Sequence, residues 1–511
     1  MALNDVIFVK GQGGLGRPLE GEDYISGLVY YTAATLPSGF TSTSRIKSIG
    51  STQDAINAGI KNDYSDATAA SGTYTVTAVG ATGDVITITV ADLSTAGVAQ
   101  TTTLCTYTRT SSDTTVTLLA ASIATAINNN TINTGYSCVP TVGAIAITAP
   151  KRLGVFLNTG TPLVVTITGT ITGTITAFAG GVASAFATYY YHISEFFRLQ
   201  PKGQLYVGFF AVPSSYTFSE VQDVQNFAEG KIRQIGVFKT IGVAASFLAE
   251  AQALQTQANT LAGLHKPLSI VYAADIVGVT DLSTLPDLAT LSCGNVSVVI
   301  SQDAAGQGNY LYKTSTKSIT TLGATLGAVA LAKVSEDIAW ISKYNISSGA
   351  ECDTVGFANG NLLSAQSQSL LNILDNRRFI FLVKYVGISG SYFNDSHCSI
   401  AVTSDYAYIE NNRTIDKAIR GVYSSMLPNL NSPLVLNANG TLTDTTVAFF
   451  IGQASVNLEQ MVRDTEISAF EVDIDTTQNV LSTNNLTISV KIVPIGVARQ
   501  ITVNIGFTLS I

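Results

Sequence analysis

Charge is what this chain has least of. Lys, Arg, Asp and Glu make up 12% of its 511 residues, about half the usual share for a soluble domain. A surface so poor in charge disperses badly as a lone monomer, and burial against copies of itself is one remedy. No run of Lys and Arg occurs, and the formal net charge is −8. Both argue against a nucleic-acid coat, because phosphate binding needs clustered cations. Histidine is limited to His192, His265 and His397. The five cysteines (Cys105, Cys138, Cys293, Cys352 and Cys398) are scattered, odd in number and form no CxxC pair. Neither a disulfide framework nor a zinc site is expected from them. No segment approaches the roughly 20 apolar residues of a membrane span. The opening MALNDVIFVK lacks the basic and apolar regions of a secretory signal, so synthesis in a cytoplasm is expected.

What is abundant is Thr, Ser, Gly, Val and Ile, the composition of strands and turns. Length predicts two to four domains. Residues 1–66 read as an N-terminal arm and the start of a core, with a short apolar strand, Val6, Ile7, Phe8 and Val9, before GQGGLG. Across residues 67–181 charge nearly vanishes and alternation dominates, as in Val85-Ile86-Thr87-Ile88-Thr89-Val90. This predicts an inserted, outward-facing, all-β, sandwich-like domain with one helix at residues 118–128.

Residues 182–395 alternate strand and helix, which predicts a mixed α/β core with a largely parallel sheet. Its expected strands lie at 205–210, 235–238, 268–272 and 296–300. A capping box (Ser219 and Gln222) opens one helix, with Val221, Val224, Phe227 and Ala228 on one face. Phe247, Leu254 and Leu261 mark a second, and residues 326–341 a third. Gly323 and Gly327 predict close helix packing.

Residues 396–511 form a C-terminal domain with a helix at 405–426. Ile415, Ile419, Val422 and Met426 make its apolar face, and Arg413, Asp416, Lys417 and Arg420 fall largely outside it. The chain closes on two alternating runs: Leu486, Ile488, Val490 and Ile492, then Ile501, Val503, Ile505, Phe507 and Leu509. A terminus normally frays unless something ties it down, and an unpaired apolar strand templates pairing with another chain. Strands at both ends therefore predict arms lent to neighbouring copies; pairing within the same subunit is the alternative.

Chemical signatures are weak. Gly11-x-Gly13-x-x-Gly16 matches the dinucleotide fingerprint only formally, because no helical apolar face follows it. Asp395, His397 and Cys398 lie close in sequence, but no second cluster completes a metal or nucleophile site. No cofactor and no enzymatic activity are expected.

The stretch TSDYAYIENNRTIDKAIRGVYSSMLP (403–428) resembles the C-terminal region of contractile phage tail sheath proteins. The helix TLGATLGAVALAKVSEDIAWI (321–341), the opening NDVIFVKGQGGLGR, the closing pair of strands and the Thr-rich insertion with ASIATAINNN resemble the same family. Where that element usually carries two arginines, this chain has Asn412-Arg413. The resemblance implies a structural, non-catalytic subunit that stacks as six-fold rings around an inner tail tube protein and contracts. Its partners would be copies of itself, the tube, and baseplate and tail terminator proteins. It would reside in the virion tail, assembled in the host cytoplasm, with direct nucleic-acid binding and membrane insertion absent. Terminal strands (the second within about 485–511) would complete a neighbour's sheet, and Arg413, Lys417 and Arg420 would face the tube. A sheath of a phage-derived injection system fits equally, and a β-rich surface adhesin is a more distant alternative.

Overall fold

The computed structural model describes residues 22–33, 35–239 and 246–507. The Val6–Val9 strand, the GQGGLG segment and Leu509 lie outside the described residues.

Ile25–Thr32 (ISGLVYYT) is buried along its whole length and occupies the interior of a seven-stranded sheet. Gln204–Ala211 flanks it on one side and Gln234–Lys239 on the other, both parallel to it. Ser269–Ala273, Val296–Val299 and Phe379–Ile380 continue the parallel order outward, and Ile46–Ile49 closes the opposite edge antiparallel. A run buried on both faces is what a parallel sheet covered by helices requires. Successive side chains point to opposite faces. Leu28 and Tyr30 enter one core with Val207 and Phe209, while Val29 and Tyr31 enter the other with Ile235, Val237, Ile270 and Tyr272.

Helices Ala185–Leu199 and Leu322–Leu331 contribute to the first core. Gly323 and Gly327 allow their close approach: a Cβ at Gly323 would stand 2.0 Å from the His192 carbonyl oxygen, and one at Gly327 2.8 Å from that of Phe196. Helices Glu220–Phe227 and Phe247–Gly263 contribute to the second. Phe247, Leu254 and Leu261 are all buried there.

Three helical expectations are corrected. The third helix ends at Leu331, where Ala332 turns extended; turns follow, held by Glu336, whose carboxylate accepts the Lys333 amide proton at 3.0 Å. The Ser219 capping box does not form, because Ser219 itself has helical dihedrals and its hydroxyl lies 3.5 Å from Glu220. Phe227 also faces out, whereas Val221, Val224 and Ala228 are buried.

The Thr-rich insertion builds two antiparallel sheets. Ser137–Pro140, Ala144–Thr148, Ser71–Ala78 and Thr172–Ala179 form one, and Ala99–Thr108, Val85–Leu93 and Leu163–Thr168 the other. Helix Val116–Asn129 sends Leu119, Ile123 and Ile127 into their shared core. Tyr310 of the α/β body joins that core, and its hydroxyl donates to the Arg152 carbonyl at 2.8 Å. The fold is thus a mixed α/β body carrying a two-sheet β insertion.

Candidate assembly surface: the C-terminal unit and its arm

Helix Ile409–Met426 begins the C-terminal unit, and helix Asp444–Arg463 packs against it. Their contact is close at Gly421, whose carbonyl accepts from Asn457 at 2.7 Å and where a Cβ would meet that of Asn457 at 2.7 Å. Strands Ile467–Asp473 and Ser489–Pro494 follow as an antiparallel ribbon, with Phe470 opposite Ile492 and Val472 opposite Val490. These side chains pack with Ala418, Leu458 and Met461 of the helices. Among the described residues no third strand pairs with the ribbon. A lone two-stranded ribbon is marginal in water, so this one depends on the helix pair beneath it.

The charged side of helix Ile409–Met426 is its buried side, although its charged residues fall outside the apolar face. Arg413 is buried and donates to the Ala332 and Lys333 carbonyls at 3.1 and 3.3 Å and to the Asp23 carbonyl at 3.4 Å. Lys417 bridges Asp23 at 2.8 Å and Glu466 at 2.6 Å. Arg420 donates to the Pro267 carbonyl at 3.2 Å. These three cations therefore fasten the C-terminal unit to the α/β body and find partners inside the chain.

Burial would raise the Asp23 carboxyl, but Lys417 and Arg413 hold it below the usual range. Burial pushes Asp416 up to about 6 against the pull of Arg420 and Arg233, and pushes Arg420 down to about 10. Meanwhile Ile419 on the same helix is exposed. Buried backbone carbonyls and carboxylates need donors, and that demand overrides the expected apolar-in arrangement.

Beyond the ribbon the described residues belong to no strand, and Arg499 reaches back onto the body. Its guanidinium meets Asp395 at 3.0 Å and Asp337 at 3.2 Å, and it also pairs with Glu410. It lies over the Tyr408 ring at 3.4 Å. Ser396 donates to the other Glu410 oxygen at 2.5 Å. The socket draws on three separate segments, with Glu410 in the first turn of helix Ile409–Met426, where the helix dipole favours a carboxylate. Burial and the neighbouring Glu410 and Asp395 push Asp337 up to about 8. The net effect on Arg499 is upward: burial alone would lower it, and the carboxylates outweigh that. Sequence reading missed this socket. Its members are far apart along the chain, and periodicity carries no trace of a long-range ion pair.

Past Arg499, residues 501–507 belong to no strand and are exposed throughout. Ile505 is 92% and Phe507 112% exposed. Ile501, Val503, Ile505 and Phe507 alternate with Thr502, Asn504 and Gly506, the pattern of a strand that buries one face.

The other sequence candidates hold no reactive array. His397 faces Asp375 at 2.9 Å and Asp395 only at 4.0 Å. The Cys398 thiol is buried and pushed up to about 12, next to Ser297 and Asn412. Cys105, Cys138, Cys293 and Cys352 are likewise buried and free. His192 is buried among Tyr30, Tyr191 and Phe238, and burial pushes it down to about 3. Among the described residues no cluster of His, Cys, Asp or Glu could hold a metal ion, and no helix is long and apolar enough to cross a membrane.

Two family models match the chain: the DUF2586 N-terminal domain over residues 3–397 and the DUF2586 C-terminal domain over 405–511. No curated protein matches. Among solved structures, the chain is similar to the contracted helical sheath of the anti-feeding prophage (12% identity, TM-score 0.45, 63% of this chain and 82% of that one). It is also similar to the contracted sheath of the PVC extracellular contractile injection system (11%, 0.43, 63% and 81%). A third is the sheath tail protein Lin1278 from Listeria innocua (8%, 0.38, 94% and 96%).

Proposed function

Since the chain belongs to the DUF2586 family, and since residues 501–507 are an exposed alternating segment while the C-terminal ribbon has no third strand among the described residues, we propose that it is a contractile sheath subunit. The observation that carries this reading is residues 501–507. Their side chains alternate as those of a half-buried strand do, yet among the described residues nothing covers them. The ribbon Ile467–Asp473/Ser489–Pro494 is a fitting acceptor in a second copy, with edges that no described strand occupies and a face already packed on helices. Strand addition supplies about 1 kcal/mol per hydrogen bond and roughly 1.5–3 kcal/mol for each Ile or Phe that becomes buried. A few such residues suffice to join two subunits.

In this reading the subunits stack as hexameric rings around an inner tube, and the strands tether neighbours while their bodies rotate. The role is mechanical, with no catalysis and no cofactor. Because Arg413, Lys417 and Arg420 are engaged inside the chain, the tube contact falls to exposed side chains of the same helix pair, such as Ile419 and Phe449. Baseplate and terminator proteins would cap the two ends of the polymer. The phage tail is the first setting for such a sheath and an injection system the second. Purified protein should form tubes of constant width in negative-stain electron micrographs; a monomer that persists at high concentration overturns the reading.

A further inference from the structure

The root of the arm is fixed by a contact that strand exchange does not require. Residues 495–507 join no sheet among the described residues, and the cation of Arg499 is gripped by carboxylates from three segments of the body. Glu410 is buried, so its carboxylate would stand uncompensated without the cation beside it, while Asp337 and Asp395 add further acceptors to the grip. Removing one partner of such a pair costs far more than forming it gains. The Tyr408 ring under the guanidinium adds a planar contact that suits arginine above lysine.

We propose that Arg499 stays pinned to Asp337, Asp395 and Glu410 of its own subunit in the assembled polymer, so that only the residues beyond it cross to a second copy. This rests on the sheath reading and deepens it by placing the exit point of the arm. The crossing segment then begins at residue 500, and its described part, residues 500–507, spans roughly 26 Å at about 3.3 Å per residue. The pin fixes the point from which the arm departs.

The test uses the full chain carrying Arg499→Lys. A carbodiimide activates a carboxylate, the lysine amine displaces it to form an amide, and the reagent leaves as its urea. In the unassembled chain, mass spectrometry should find residue 499 joined to Asp337, Asp395 or Glu410. Tubes are then assembled from equal amounts of 14N- and 15N-labelled subunits and treated in the same way. The pin predicts that the joined peptides carry one isotope throughout. Mixed-isotope pairs in well-formed tubes overturn the pin alone, and so does the absence of any such cross-link in the unassembled chain. Failure of the wild-type protein to form tubes overturns the sheath reading and this deepening with it.

A second measurement needs no assembly. Arg499→Gln should speed cleavage by subtilisin across residues 495–500 at least tenfold in the unassembled chain. Unchanged cleavage overturns the pin.

Discussion

Asp337 is an acid held where an acid is costly. Below about pH 4, folded and unfolded chains both keep its proton and the group is neutral to stability. Between there and about 8 only the folded chain binds the proton, so this group makes stability fall as pH rises. Above about 8 the full cost is present. Glu410, Asp395 and Arg499 face it across the socket, and His397 stands 4.0 Å from Asp395. Asp337→Asn should therefore flatten the decline in melting temperature between pH 6 and 9 relative to wild type, as differential scanning calorimetry would show. A steeper decline in the variant would contradict the assignment.

At Arg413 the expectation is a loss. Arg413→Ala strands the Ala332 and Lys333 carbonyls and takes a buried cation from beside Asp23, which should cost about 3–5 kcal/mol in chemical denaturation. The placement of these residues was only partly legible. The sequence showed that Arg413, Lys417 and Arg420 lie off the apolar face, but not which face the body would cover. Burial of Ile415 or Ile419 looked favourable by transfer energy alone, whereas the body presents carbonyls and carboxylates at that junction, and those select the cations.

Among the elements, the strongest sequence signals were the all-apolar strands, which burial on both faces makes continuous, and the heptad-spaced Phe247, Leu254 and Leu261, whose period burial on one side fixes. Element ends were harder to read. The residues after Leu331 still look helical, yet Glu336 captures the Lys333 amide in a turn. The small-residue pair at Gly323 and Gly327 was legible because only a missing Cβ lets two helix backbones meet. Gly323→Val should therefore be among the most destabilising single changes in the body: overpacking costs about 1–3 kcal/mol, and here the obstacle is the backbone of His192 rather than a flexible side chain. A variant that melts within a degree of wild type would contradict the close contact.

For the whole molecule, the mixed α/β body and the β insertion followed from composition and alternation. The destination of the arm did not, since a single chain cannot show what its exposed residues meet. Deleting residues 501–511 should abolish tubes in electron micrographs while leaving the far-ultraviolet circular dichroism and melting temperature of the body unchanged. Tubes of normal width from the truncated chain would sink the proposal that the arm joins copies.

Among the described residues, the seven-stranded sheet ends on Ile46–Ile49 at one side and on the two-residue strand Phe379–Ile380 at the other. Borders this brief give a foreign strand almost no backbone to zip along. Identical exposed tails therefore have little chance of mispairing at this sheet, and growth through it is blocked before it can begin.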